Sequence, residues 1–99
     1  MVVKEKRGRR RYIAFTVSAG LGKDTLIASL RKVCDVPPYV VLCAEGWAVV
    51  RCSPADVDIV IGIMKNADAS SVSLRTSGTL ASLYDRYPRL RELRPPKKT

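Results

Sequence analysis

The residues of this chain that are best suited to bind a phosphate are three small ones, Ser77, Gly78 and Thr79, between a predicted strand and a predicted helix. Hydroxyls and the free backbone N–H groups at a helix start can both donate hydrogen bonds to phosphate oxygens. Simple N-capping explains the same residues equally well, with Thr79 as the cap and Gly78 allowing a tight turn. The two interpretations are compatible, and the sequence favours neither.

The side chains of this sequence do not form a pattern typical of catalysis. The chain contains no His, and therefore lacks the usual general base and the preferred metal ligand. Cys34, Cys43 and Cys52 form no CxxC pair and are too few for a four-ligand zinc site, which favours reduced, buried thiols. The loop over residues 18–25 has Asp24 where a phosphate-binding loop needs Ser or Thr. We therefore expect a non-catalytic polypeptide that binds no cofactor or metal of its own.

The net charge of +9 is concentrated at the two ends of the chain. Residues 1–11 carry a net charge of +5 and residues 85–99 a net charge of +4, whereas residues 12–84 have six basic and six acidic side chains. Basic clusters supply affinity for a polyanion through counterion release, so RNA or DNA is the expected partner. The alternative is a pair of solvated tails. The basic residues predicted to bind RNA in the first segment are Lys4, Lys6, Arg7, Arg9, Arg10 and Arg11.

Hydrophobic periodicity predicts a single folded domain over residues 12–87, between a basic arm (1–11) and a basic tail (88–99). Pro88 is expected to end the last helix, and Ser53 and Pro54 to begin the second. The predicted order β-α-β-β-α-β plus a C-terminal helix is typical of an α+β, ferredoxin-like or RRM-like fold, with a four-stranded antiparallel sheet and two helices on one face. No apolar stretch is long enough to span a membrane, so we expect a cytoplasmic protein. The predicted strands are Tyr12–Val17, Tyr39–Cys43, Trp47–Cys52 and Val72–Thr76.

The predicted hairpin has one face that is too apolar to remain in water. A two-residue turn at Glu45-Gly46 places Val40, Leu42, Trp47 and Val49 together with Arg51 on that face. Either the C-terminal helix or another protein must cover it. The sequence leaves both alternatives open, and the four apolar residues are candidate contacts for a partner.

Three segments resemble the ribonuclease P protein component 2 family of archaea and eukaryotes. They are Arg11–Phe15 on the first strand, Gly46–Cys52 on the third and Ser77–Leu80 after the fourth, and the likeness covers about residues 10–84. The resemblance implies a small α/β subunit that does no chemistry itself. The absence of Gln, with Asn66 as the only Asn, is typical of a thermophile.

The resemblance also implies the partners. The chain would bind the catalytic domain of ribonuclease P RNA and pair with a second protein subunit, component 3. The resemblance also leaves open that two copies of the chain form a homodimer within the complex. The holoenzyme removes 5′ leaders from precursor tRNA with Mg²⁺ held by the RNA. Carried onto this sequence, Arg51 and Ser77-Gly78-Thr79 would lie near RNA, and the apolar strand face near the protein partner.

Two other functions fit the same residues. A stand-alone RRM-like module would bind single-stranded RNA, but the third strand has Val49 and Cys52 where such modules stack bases on aromatic rings. A protein-binding adaptor would use the basic ends only for solubility. Residues 34–38 form a shorter connection than the family usually has there, and the segment 88–99 resembles nothing in the family.

Overall fold

The computed structural model describes residues 10–35 and 37–93, which form four strands, four α-helices and one 3₁₀ turn. Lys4, Lys6, Arg7 and Arg9 lie outside the described residues. The elements are β1 (Arg11–Thr16), α1 (Lys23–Val33), β2 (Tyr39–Ala44), β3 (Trp47–Cys52), a 3₁₀ turn (Pro54–Asp56), α2 (Val57–Ala67), β4 (Val72–Ser77), α3 (Leu80–Arg86) and α4 (Pro88–Leu93).

The four strands form one antiparallel sheet in the order β2-β3-β1-β4. This arrangement confirms the predicted α+β, ferredoxin-like fold. Strand β1 lies inside the sheet, and its residues Ile13, Ala14 and Phe15 are buried because both faces of the sheet are covered. The turn between β2 and β3 is the predicted one, with Glu45 at φ 50° and Gly46 at φ 85°, the left-handed geometry of a tight hairpin.

The two faces of the sheet bury separate hydrophobic clusters. Helices α1 and α2 cover one face, where Leu26, Leu30 and Met64 pack on Phe15. The other face is covered by α3 and α4. The molecule therefore has three layers, and the chain's own C-terminal helices cover the apolar face that the sequence left open. The buried residues of the second cluster are Ala14, Leu42, Val49, Leu83, Tyr84 and Leu90.

A β-bulge in β2 corrects the predicted hairpin faces. Leu42 pairs with Val49 as expected, but the register then shifts, and Val40 pairs with Val50 instead of Arg51. Because one inserted residue reverses the side-chain alternation, Val40 enters the core beneath α1 and α2. Tyr39 takes the place opposite Arg51. Assigning Val40 to the face of Leu42 was therefore wrong.

The ends of two helices also differ from the prediction. Pro54 begins a 3₁₀ turn rather than the α-helix, and the Ser53 hydroxyl donates to an oxygen of Asp56 (2.9 Å) without capping the helix backbone. Pro88 does follow the end of α3, but the chain continues as α4, and Leu90 is fully buried. Residues 88–93 are therefore part of the folded domain, because one apolar side chain in a basic segment finds space over the sheet. Among the described residues, no helix is long and apolar enough to cross a membrane.

Candidate nucleic-acid interface

Hydrogen bonds within the link between β4 and α3 already use its hydroxyl groups. The Thr79 hydroxyl accepts a hydrogen bond from the backbone N–H of Ser82 (3.2 Å), which makes Thr79 the N-cap of α3. The Ser77 hydroxyl accepts from the backbone N–H of Thr79 (3.3 Å). The capping interpretation of Ser77-Gly78-Thr79 is thus confirmed, and the predicted phosphate contact remains a prediction.

Arg11 lies beside this link. Since Tyr12 pairs with Ser77, the next residue back along β1 is next to Gly78. A methyl group placed on Gly78 would be only 3.6 Å from Nη1 of Arg11, and the same nitrogen donates to the backbone carbonyl of Arg10 (3.2 Å). The fold therefore brings predicted RNA-binding residues from the first strand to those after the fourth.

Two further arginines, which sequence reasoning missed, line a hollow at the same edge of the sheet. Arg75 on β4 and Arg86 on α3 border a hollow of about 410 Å³ together with Ser77 and Ser82. Asp85 also lines it, but its carboxylate is paired with Arg91 (2.9 Å). Within residues 10–35 and 37–93, no ion pair neutralises Arg75 or Arg86. The hollow therefore offers unpaired positive charge and hydroxyl donors to an anion.

Only the strand register brings these side chains together. Arg75 occupies a polar position of the predicted strand, and Arg86 lies eleven residues later at the end of a helix. Arg75 shares a face of the sheet with its β1 partner Ala14, over which α3 packs. The sequence shows a basic residue at each position, but the spacing of the two residues does not predict that their side chains lie close together.

Arg51 lies on the same face of the sheet as Ser77, two strands away. Arg51 pairs with Tyr12, and Tyr12 pairs with Ser77. On its other side Arg51 pairs with Tyr39, and its guanidinium carbon lies 4.5 Å from the centre of the Tyr39 ring. Cross-strand partners point to the same face, so Tyr39, Arg51, Tyr12 and Ser77 form one line across all four strands. We call these four residues the open row.

Three of the four candidate residues for a protein partner lie inside the molecule. Val40, Leu42 and Val49 are at most 2% exposed, because the chain's own helices cover both faces of the sheet. Trp47 is half-buried and packs against Tyr87, with ring centres 5.8 Å apart. The first three side chains are therefore not available as surface contacts, which corrects that prediction.

The position of Val49 also bears on the RRM-like alternative. In such modules a base stacks on an open sheet face over the third strand. Here that part of β3 lies beneath Leu83 and Tyr84. A base can reach this face only where the cover of α3 and α4 ends.

In the part of the chain that the structure describes, the thiols and carboxylates outside this region form no reactive cluster. Burial raises the pKa of the Cys43 thiol to about 11. The pKa of the Cys52 thiol is also raised, mainly by burial and to a lesser extent by the negative charge of Asp56. None of the three cysteines, all of which lie in the described part of the chain, forms a disulfide. Within the described part of the chain, no three Cys, Asp or Glu side chains are close enough to share a metal ion.

One carboxylate connects two loops at the opposite end of the sheet. Asp68, after α2, accepts hydrogen bonds from the backbone N–H (2.9 Å) and the hydroxyl (3.0 Å) of Ser18, after β1. It also accepts from the backbone N–H of Ser70 (3.1 Å). These hydrogen bonds lower the pKa of the Asp68 carboxyl, and the bond from the Ser18 backbone N–H has the largest effect. The loop over residues 18–22, which precedes α1, is thus held by a carboxylate, which is unfavourable for phosphate.

The fold and this interface define a small, basic α+β protein with a ferredoxin-like sheet covered on both faces. No protein-family model matches the chain, and no curated protein is significantly similar to it.

Proposed function

We propose that this chain is an RNA-binding protein, a subunit of ribonuclease P that stabilises the catalytic RNA during removal of 5′ leaders from precursor tRNA. The observation that carries the RNA contact is the hollow beside β4. There Arg75 and Arg86 lack a neutralising partner among the described residues, and Ser77 and Ser82 line the same space. Arginine guanidinium groups and serine hydroxyls are both among the groups that contact phosphate oxygens.

The neighbouring residues extend this surface. Arg10 and Arg11 precede the open row, and the sequence carries four more basic residues before them. A cluster of basic residues suits a backbone of phosphates better than a single small anion. The specific assignment to ribonuclease P rests on the resemblance of the three segments on β1, β3 and the link after β4.

In this proposal the polypeptide supplies binding and no chemistry. Mg²⁺ ions for the cleavage would be held by the RNA, and a component 3 protein would be the partner in the assembly, in the cytoplasm of an archaeal thermophile. Since Leu42 and Val49 lie beneath α3 and α4, that partner would have to contact an outer surface of the helices or an edge of the sheet.

The test is recovery of the tagged full chain from its own cells, followed by an assay of the eluate on a precursor tRNA. We expect release of the 5′ leader at one site, and loss of this activity when the eluate is treated with a ribonuclease. RNA in the eluate without that cleavage would support a general RNA-binding module instead. An eluate free of RNA at moderate salt would contradict RNA binding altogether and favour the adaptor.

A further inference from the structure

The open row lies at the end of the sheet where the cover of α3 and α4 stops. The next positions along the same face, Ala14, Leu42 and Val49, are at most 2% exposed. In the open row, by contrast, Tyr39 is 55% exposed, and Arg51, Tyr12 and Ser77 are half-buried. Beside the part of the face that α3 and α4 cover over β1, β2 and β3, the open row therefore leaves a line of accessible side chains.

The chemistry of this line differs from that of the buried cluster. Arg51 is held over one face of the Tyr39 ring, and no ion pair within residues 10–35 and 37–93 neutralises its charge. Tyr39 lies on the edge strand β2, so ring surface beyond the part that Arg51 covers is open to solvent. An exposed aromatic ring with a guanidinium fits a ligand that has both a flat face and a negative charge. A nucleotide has both.

We propose that the open row binds an unpaired nucleotide, with its base stacked on Tyr39 and its phosphate on Arg51. The inference rests on the proposed function in so far as the ligand is RNA. The choice of nucleic acid over an apolar protein segment follows from charge, because Arg51, Arg75 and Arg86 are all free of acidic partners among the described residues.

The geometry extends the site across the sheet. Four neighbouring strands span about 14 Å, so the Tyr39 edge and the hollow at the β4 edge lie within reach of the same few nucleotides. The bound RNA strand would pass Arg51 and Ser77, and its later phosphates would reach Arg75 and Arg86. In a duplex the bases are already paired and stacked, so the Tyr39 ring would contribute only to single-stranded binding.

The experiment measures dissociation constants of the full chain for two fluorescent RNAs, a single-stranded oligoadenylate of roughly ten nucleotides and a duplex of equal length. The variants are Tyr39→Ala, which removes the ring, and Tyr39→Phe, which keeps it. Val72→Ala is the matched control, since Val72 is 52% exposed and lies on the other edge strand at the opposite end of the same face. Circular dichroism checks that each variant is folded.

We expect Tyr39→Ala to weaken single-strand binding about tenfold and to leave duplex binding unchanged, because one stacked base is lost. Tyr39→Phe and Val72→Ala should bind both RNAs as the parent chain does. Unchanged single-strand affinity in Tyr39→Ala, with salt-dependent RNA binding intact, would overturn the stacking site and leave the proposed function standing.

Two other results would also overturn it. Equal weakening on both RNAs would mean that Tyr39 only holds Arg51 in position. No binding of either RNA by the parent chain would contradict both proposals.

Discussion

At the scale of residues, the side chain of Asp68 holds two loops together. Asp68 accepts three hydrogen bonds, two of them from Ser18, which lies fifty residues away in sequence. The carboxylate thereby joins the loop after β1 to the loop after α2. Its pKa is lowered because the ionised form accepts these bonds better than the protonated form does.

Replacing Asp68 by Asn should lower the free energy of unfolding by about 1 to 2 kcal/mol at neutral pH, because charged acceptors are lost. The pH dependence should change as well. The folded carboxyl has the lower pKa, so its stabilisation is complete well above the unfolded value of about 3.9 and is lost as the pH falls through the acid range. Urea unfolding between pH 3 and 7 measures both effects.

Asp35→Asn is the matched control for Asp68→Asn, since Asp35 is an exposed carboxylate that follows α1. This variant should cost less than about 0.5 kcal/mol at neutral pH, as expected for an exposed position. If Asp68→Asn kept the parent's acid sensitivity, the carboxylate would not be the group that responds.

At the scale of elements, the bulge in β2 decides which side chains reach the core. Alternation of apolar residues predicted the strand, the hairpin and the turn at Glu45-Gly46 correctly. It could not predict the bulge, because Val40 and Val41 are both apolar and either can point inward. The same ambiguity hid the partnership of Tyr39 with Arg51, which depends on the shifted register.

Val40→Ala should therefore destabilise the fold by about 2 kcal/mol, as expected for removing two methyl groups from a packed interior. Denaturation by urea measures the change. Val72→Ala removes the same atoms from an exposed place on the edge strand and should cost less than about 0.5 kcal/mol. Equal costs for the two variants would contradict the observed register.

The helix α4 shows a second limit of sequence reasoning. A proline and a run of basic residues are typical of a tail. After Pro88, Leu90 is the one apolar residue up to position 92. Its burial depends on space left over β2 by the packing of α3, which no local pattern records. The ion pair of Arg89 with Glu45 then fixes the start of α4 beside the hairpin turn.

Leu90→Ala should lower the free energy of unfolding by about 3 kcal/mol, because a buried leucine is removed from the second cluster. Leu74→Ala, at a partly exposed position of β4, should cost less than about 1 kcal/mol. A small effect at Leu90 would mean that residues 88–93 do not contribute to the folded domain.

At the scale of the whole molecule, the distribution of charge is the feature on which the proposed RNA contact depends. The net charge of +9 was evident from the sequence, and so was its concentration near the ends. The convergence of Arg75 and Arg86 was not, since it depends on β4 lying beside β1 and on the path of α3. The sequence thus predicted where basic residues are concentrated along the chain, but not which of them the fold brings together.

Arg75→Ala and Arg86→Ala should each weaken RNA binding and reduce the slope of log affinity against log salt by about one, because each removes one phosphate contact. Anisotropy titrations over a range of salt concentrations measure the slope. Arg31→Ala makes the same charge change on α1, on the other face of the sheet, and should leave the slope unchanged. If all three variants kept the salt slope of the parent chain, the hollow would make no phosphate contact.

The strand order has a consequence for synthesis of the chain on the ribosome. β1 emerges first, yet its two neighbours in the finished sheet are β3 and β4, which end at residues 52 and 77. The β2–β3 hairpin can form locally before that, whereas both hydrogen-bonding edges of β1 must wait for segments made later. We therefore expect the nascent chain to complete its fold only after most of it has left the exit tunnel, with an apolar strand unpaired until then.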